Sequence, residues 1–581
     1  MIEKKKIVLF GVAGAGKTTK CLEYIKGFLK EYNLMDIAFT TYTRAGIASI
    51  LEKLKEENIY CPDSSYFRTM NSITWRLSGF TKEQQITPSE LKDFFKSKNI
   101  PYKDREKEDD KTIGEYYLEF YEYYQNQNAK PINKATEPEI KDALEQKYED
   151  DDKITRNEME HMIEINKLFI EWKELNNKKV YSDSLIEVLY KQIDVPVKVL
   201  IVDEAQDLYL LQQRIIEMWV TDFNKDYLLV AGDDDQTVHE WAGSKPDWLI
   251  QQAETVNPED KIILENTYRC PKVVCDLSNK VLSRIGYRQE KKLIPIKKEV
   301  GSYNSFQAFR YNELIVEIKN AYHALPKGKQ MFILFRANKF RNEFAQALFE
   351  QCNIPFSFLN KDGSSPYSLK FCCINNAIYK LVNKQDLTFQ EAKYLTLSIP
   401  APKLIKGIKT KFRKGKDLPK VITTEWYLRD VCPMGLKFFE DRFDLKQDLI
   451  KTLEYDYVGV KNAEEHSKKN DFIRQKLMSF NQLIEFKGFD DPDDEKAEIK
   501  IVLPLQLGTF HASKGLQADK VFVFLNTRWF WNEINDSELR CLYVAISRCA
   551  MDLKVGYFTG FETPSDPALL EYWNKLLRVT L

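Results

Sequence analysis

IVLFGVAGAGKT, residues Ile7 to Thr18, runs four apolar residues straight into a glycine-rich loop that ends in lysine and threonine. An apolar run this short, followed by a turn and a helical pattern, marks a strand buried on both faces of a parallel sheet. The loop matches G-x-x-x-x-G-K-[ST] at Gly11, Gly16, Lys17 and Thr18, and Gly14 and Thr19 complete the candidate nucleotide-binding set. Glycines let backbone N–H groups turn inward on phosphates, and the helix that follows offers its positive N-terminus. Lys17 can neutralise the β/γ charge while the Thr18 hydroxyl suits Mg²⁺. Alone, this pattern leaves a kinase or any other nucleotide hydrolase open.

Outward from this strand, similar apolar runs recur at Ile37 to Phe39, Val199 to Val202, Tyr227 to Val230, Met331 to Phe335 and Val521 to Phe524. Each is followed by turn residues and a helical pattern, which predicts an α/β fold with two parallel-sheet layers. Residues 85–180 read differently, being rich in Glu, Lys and Tyr with helical spacing and no strand runs. Within them Tyr116, Tyr117, Phe120, Tyr121 and Tyr124 recur at helical intervals. A core stripe is the expected reading, ahead of a base-stacking face. Residues 366–498 form a second interruption, closed by the acidic run DDPDDEKAE at Asp490 to Glu498, which is expected to be a solvated linker.

The second half of a nucleotide site comes from VLIVDEAQD, Val199 to Asp207, where an apolar strand delivers Asp203 and Glu204 at its carboxyl end. Ligands of open α/β sheets bind at such ends. Asp203 suits Mg²⁺, directly or through water, and Glu204 is placed to polarise an attacking water as general base. The competing reading of the acidic pair is a surface turn.

Composition narrows the field without choosing within it. The 581 residues exceed one ordinary core, so several domains are expected. Hydrophobic residues at 43% and charged residues at 30% describe a folded globular chain. A formal net charge of −1 gives no compositional support for nucleic-acid binding. The ten cysteines show no zinc-like spacing and read as reduced, mostly buried thiols. No secretory signal and no run of about eighteen apolar residues occurs, so a cytoplasmic protein without a membrane span is expected. Lys-, Ile-, Asn-, Tyr- and Phe-rich usage suggests an AT-rich genome such as that of a phage, in which case the host cytoplasm applies.

With these motifs in hand, further segments fall into the order of one family. TTYTRAGIA from Thr41, RTMNSITWRL at Arg68 to Leu77, AGDDDQTVHEWAGS at Ala231 to Ser244 and LENTYRCP at Leu264 to Pro271 follow the glycine loop. FILFRANKFRNEFAQALFEQCNIPF at Phe332 to Phe356, GTFHASKGLQADKVFVF at Gly508 to Phe524 and ELRCLYVAISRC at Glu538 to Cys549 complete the set. Taken with DEAQD, the chain resembles the UvrD/Rep/PcrA group of superfamily 1 helicases across nearly its whole length.

That resemblance implies two RecA-like P-loop domains, each carrying a mainly helical insertion, with ATP and Mg²⁺ between them. It implies a first motor domain at 1–84 and 181–260 with its insertion at 85–180. It implies a second at 261–365 and 499–581 with its insertion at 366–498. By the same resemblance Gln236 couples the γ-phosphate to a DNA base stacked on Trp241, Arg269 and Arg548 act as arginine fingers, and Gln517 lies near the ribose. Tyr42, Thr43, Asn71, Ser72, His239, Thr509 and His511 fall in DNA-contacting motifs. The implied activity is ATP hydrolysis coupled to 3′-to-5′ movement on single-stranded DNA and unwinding of tailed duplex. A monomer, working with replication or repair proteins, is the expected state.

Some positions depart from the family pattern. Only about ten residues precede Gly11, where relatives carry an adenine-reading glutamine segment, so broad nucleotide use is expected. Gln517 stands in place of a usual glutamate, Ala242 of a frequent arginine, and Asn71 of a common histidine. No nuclease domain is expected in the roughly thirty residues after Arg548. The rival readings are a translocase that displaces proteins with little unwinding, and a degenerate DNA-binding subunit of a larger assembly.

Overall fold

The structure is a computed structural model that describes residues 5–102, 112–148, 154–223, 225–238, 243–308, 311–351, 354–359, 369–399, 401–415, 418–419, 421–440, 486–487, 500–501, 503–526 and 535–558. The chain forms two compact units, Met1–Gly301 with Asn532–Ser547 and Arg578–Leu581, and Ser302–Trp531 with Arg548–Leu577.

In the first unit, β1 (Lys5–Gly11), β2 (Ile37–Thr41), β3 (Tyr66–Phe67), β4 (Val199–Asp203), β5 (Tyr227–Gly232) and β6 (Lys261–Leu264) form one sheet in the order β3-β2-β4-β5-β1-β6. Every pairing is parallel. Successive side chains of a strand point to opposite faces, so β1 feeds two cores at once. Ile7 and Leu9 pack with Ile25, Phe39, Ile201 and Leu229, while Val8 and Phe10 pack with Leu200, Val230, Ile215 and Trp219. Each such fully buried side chain contributes roughly 1.5–3 kcal/mol. The four apolar runs predicted in this half are β1, β2, β4 and β5.

The first unit runs past residue 260, to Gly301. The cause is β6, which pairs with β1 from Val8↔Lys261 to Gly11↔Leu264 and so ties the next segment to the first sheet. There β7 (Asn266–Thr267) and β8 (Ile294–Pro295) pair in parallel, and the unit ends at Gly301. The late helix Asp536–Ile546 also belongs here, with Leu539 through Ile546 all buried. The Asp536 carboxylate accepts from the backbone N–H groups of Gly286 and Tyr287 at 3.1 and 3.2 Å.

Within the same unit, residues 85–180 contribute the helices Pro88–Ser97, Ile113–Asn128, Glu137–Tyr148 and Arg156–Leu175. Their starts are written locally as Thr-x-x-Glu boxes at Thr87/Glu90, Thr112/Glu115, Thr136/Glu139 and Thr155/Glu158, where the glutamate accepts from the threonine N–H. The tyrosine stripe is core: Tyr116, Tyr117, Phe120, Tyr121 and Tyr124 are all buried against Phe94, Phe95 and Phe169.

The second unit holds β9 (Ser302–Ala308), β10 (Met331–Phe335), β11 (Phe356–Phe358), a short antiparallel pair β12 (Phe486–Lys487) and β13 (Lys500–Ile501), and β14 (Leu505–Thr509), β15 (Ala518–Asn526) and β16 (Cys549–Phe558). Its main sheet runs β11-β14-β10-β15-β16-β9, again all parallel. The predicted runs Met331 to Phe335 and Val521 to Phe524 are neighbours in it. Helices Leu369–Val382, Phe389–Ser398, Ile408–Lys414, Thr424–Asp430 and Leu436–Glu440 occupy the described part of the second interruption. The acidic run at 490–498 lies outside the described residues. Among the described residues all cysteines are free, most of them buried, and no helix is long and apolar enough to cross a membrane.

Candidate active site

The glycine loop leaves β1 at Gly11 and ends where the helix Lys17–Phe28 begins. Gly14 and Gly16 sit at φ of +72° and +80°, a region costly for residues with a Cβ. At Gly14 space also forbids one, since a Cβ would lie 2.6 Å from that of Arg269. The approach comes from the segment after β6. Thr267 Oγ1 donates to the Ala13 carbonyl at 2.8 Å, and the Tyr268 N–H donates to the Gly14 carbonyl at 3.0 Å. Lys17 Nζ donates to the Gly11 carbonyl at 3.1 Å, which keeps the ammonium over its own loop. Thr19 lies exposed on the following helix.

Opposite the loop, the carboxyl end of β4 supplies the acids. Thr18 Oγ1 donates to Asp203 Oδ2 at 2.9 Å, and the Glu204 N–H donates to Asp203 Oδ1 at 2.9 Å. Burial, then the neighbouring Glu204 charge, pushes the Asp203 carboxyl up to about 6 even though Lys17 and the Thr18 hydroxyl pull it down. A hydroxyl and a carboxylate oxygen are hard donors of the kind Mg²⁺ takes, so the residues present fit that ion. Glu204 is held at φ 55° and ψ 41°, left-handed without being glycine, and its carboxylate accepts from Gln206 Nε2 at 2.5 Å. Strain of this kind clusters at functional sites.

Arg269 belongs to the same unit as the glycine loop. It is largely buried, its Nη1 donates to the Ser547 carbonyl at 3.2 Å, and burial lowers its pKa. Arg548 lies in the second unit, buried, with Nη1 donating to the Leu516 carbonyl at 3.4 Å. Thr509, His511 and Gln517 also lie in the second unit, Thr509 buried, His511 half-buried and Gln517 exposed.

After β5 the chain enters Asp233, Asp234 and Asp235, three fully buried carboxylates close enough to hold a metal. The space among them is taken by a lysine. Lys291 Nζ lies 3.1, 2.5 and 2.6 Å from the carboxylates of Asp233, Asp234 and Asp235. Arg288 forks onto Asp235 at 2.7 and 2.6 Å. Burial alone would raise the Asp233 carboxyl, but Lys291 and then Lys17 hold it below its ordinary range. Gln236 Nε2 donates to Asp233 Oδ2 at 2.6 Å. His239 and Trp241 lie outside the described residues, as does Ala242.

Two of the candidate DNA-contacting residues of the first unit, Tyr42 and Asn71, touch the segment 209–212. Tyr42, half-buried after β2, shares a 2.6 Å hydroxyl–hydroxyl bond with Tyr209, their rings edge to face at 5.9 Å. Asn71 Oδ1 accepts from Gln212 Nε2 at 3.5 Å, on the helix that also carries Ser72. Thr43 caps the helix Arg44–Glu56 by accepting from the Gly46 N–H. Besides Tyr209 and Gln212, sequence reasoning misses Thr267, Tyr268, Arg288, Lys291 and Tyr543. Only Tyr268 has a usable signal, an aromatic beside a predicted finger. It is 65% exposed, with Cε2 3.9 Å from where a Cβ on Gly16 would sit.

Comparison with known proteins agrees with this geometry. Residues 2–257 match the family model described as UvrD/REP helicase N-terminal domain. A "Probable DNA helicase II homolog" of Mycoplasma capricolum subsp. capricolum is 26% identical over 415 residues, covering 62% of this chain and 55% of that protein. An "ATP-dependent DNA helicase Rep" of Buchnera aphidicola subsp. Schizaphis graminum is 24% identical over 446 residues, 67% of this chain and 65% of its own. An "ATP-dependent DNA helicase PcrA" of Staphylococcus epidermidis is 25% identical over 162 residues, 27% of this chain and 22% of that protein. The match therefore spans 55 to 65% of the length of the first two relatives.

Proposed function

We propose that this chain is a UvrD-like superfamily 1 helicase that hydrolyses ATP with Mg²⁺ and uses the energy to move 3′ to 5′ on single-stranded DNA and separate tailed duplex. The observation that carries the reading is the 2.9 Å bond from Thr18 to Asp203, which joins the glycine loop to the acidic strand end. A kinase reading would leave Arg269, clipped to the same loop, without a task.

In this reading the glycine-loop N–H groups and Lys17 hold the triphosphate, and Thr18 and Asp203 would hold Mg²⁺. The bound ion neutralises charge that builds on the phosphoryl group. Glu204 orients the attacking water and accepts its proton, Gln236 contacts the γ-phosphate, and Arg269 and Arg548 stabilise the transition-state charge. Tyr268 offers an exposed ring on which a nucleobase can stack. Gln517 takes the ribose side. Tyr42, Thr43, Asn71, Ser72, His239, Trp241, Thr509 and His511 line the strand's path by stacking and phosphate contacts. Residues 85–180 and 366–498 act as helical insertions of the two motor domains. The protein works as a cytoplasmic monomer alongside replication or repair proteins.

ATPase rates with and without single-stranded DNA, followed by unwinding of 3′- and 5′-tailed duplexes, test this. Stimulated hydrolysis with unwinding of the 3′-tailed substrate is expected. Stimulation with no unwinding of either substrate would favour the translocase that displaces proteins, and no hydrolysis at all would end the motor reading.

A further inference from the structure

The Tyr543 hydroxyl stands between the glycine loop and the Asp233–Gln236 loop. The ring is fully buried on the helix Asp536–Ile546. Its oxygen accepts from the Ala13 N–H at 3.0 Å and lies 3.4 Å from Asp233 Oδ2. Burial, followed by the charges of Asp233 and Asp235, holds the phenol far above its ordinary range, so it keeps one proton to give. Asp233 Oδ2 is the oxygen that also accepts from Gln236.

Two features turn this contact into a connection. Lys291 and Arg288 pin the acidic loop on its far side, so Asp233 has little freedom to move away from Tyr543. The hydroxyl donates to Asp233 Oδ2 at 3.4 Å, longer than an ordinary O–H···O bond of about 2.5–3.0 Å, so this contact has room to tighten. A tyrosine needed only to fill the core would work equally well as phenylalanine.

We propose that Tyr543 is a positioning residue whose hydroxyl transmits the state of the glycine loop to Asp233 and Gln236, with Lys291 and Arg288 as the fixed anchor. The inference rests on the nucleotide-site reading above. It makes the late helix, rather than β5 alone, the element that aims Gln236.

Hydrogen exchange on the full chain tests it, with Mg²⁺ and the non-hydrolysable analogue AMP-PNP as probe. In the native protein the analogue should slow exchange in peptides covering residues 11–18 and 233–238. Tyr543→Phe should keep the first effect and lose most of the second. The same variant should hold the KM for ATP within about twofold while DNA-stimulated kcat falls about tenfold, as for loss of one interaction made beyond ground-state binding. Lys291→Arg should retain slowing at 233–238 and Lys291→Met should lose it. Slowing of both loops in Tyr543→Phe would overturn the relay alone. No slowing at 11–18 in the native protein would overturn the nucleotide site and the relay with it.

Discussion

Thr18 and Asp203, 185 positions apart in sequence, share a 2.9 Å hydrogen bond at the meeting of a helix start and a strand end. The bond satisfies one oxygen of a carboxylate that burial and Glu204 have pushed up to about 6. An Asp whose folded pKa lies above its unfolded value near 3.9 binds its proton more tightly when folded. Its contribution to stability is thus fully present below about pH 4 and is lost as pH rises through 6. A rise of that size is worth roughly 3 kcal/mol. Asp203→Asn should therefore raise the melting temperature of the nucleotide-free protein at pH 8 and leave little difference from the native protein at pH 4. It should also remove Mg²⁺-dependent hydrolysis. Melting curves that stay parallel across pH 4–8 would show that the carboxylate carries no such burden.

Glu204 pairs strain with chemistry. Its left-handed backbone costs roughly 1–2 kcal/mol, a strain that glycine would not carry. Glu204→Gly should stabilise the protein by up to about 1 kcal/mol in denaturant unfolding while reducing DNA-stimulated hydrolysis about a thousandfold. Glu204→Gln, Lys17→Ala and Arg269→Ala should lose hydrolysis to a similar degree and keep the fold. Retained turnover in any of them removes that residue from the mechanism.

Much of this architecture is legible in the chain because buried parallel strands need continuous apolar runs, and Ile7 to Phe10 or Val199 to Val202 can hardly be anything else. The phosphate loop is legible because its conformation demands glycine at Gly14 and Gly16. What the sequence conceals is long-range. Nothing near Thr267 announces that its hydroxyl will hold Ala13, and the bond from Tyr543 to the same residue joins positions 530 apart. Nothing near the triple aspartate announces that Lys291, more than fifty residues on, neutralises it. The pairing of β6 with β1 is concealed in the same way, because a short edge strand finds its sheet by pairing and not by composition.

In the proposed reading Tyr268 holds the nucleobase without choosing among bases. Stacking on a phenol ring is indifferent to the base, and is worth about 1–3 kcal/mol by alanine substitution in comparable contacts. Tyr268→Ala should therefore raise KM for ATP and for GTP by a similar factor, roughly 5- to 100-fold, with kcat little changed. An effect confined to ATP would mean that the ring discriminates adenine and is not indifferent to the base, and no effect on either would leave the exposed ring without a role.

The second unit carries a concentration of charge that the net −1 of the chain conceals. Lys403, Lys406, Lys409, Lys411, Arg413 and Lys414 fall within a segment that holds no carboxylate. Ile408 and Phe412 anchor its helix in the core, which leaves Lys411, Arg413 and Lys414 exposed. Cations on a helix that itself carries no carboxylate attract a polyanion, and each phosphate they neutralise releases about one counterion. Lys411→Glu with Arg413→Glu should weaken binding to tailed duplex and reduce the slope of log affinity against log salt by about 2. ATPase at saturating single-stranded DNA should hold near the native rate, since neither residue is among those assigned to the nucleotide or to the single strand. An unchanged salt slope would show that the segment faces no DNA, and a lost ATPase would place it in the motor itself.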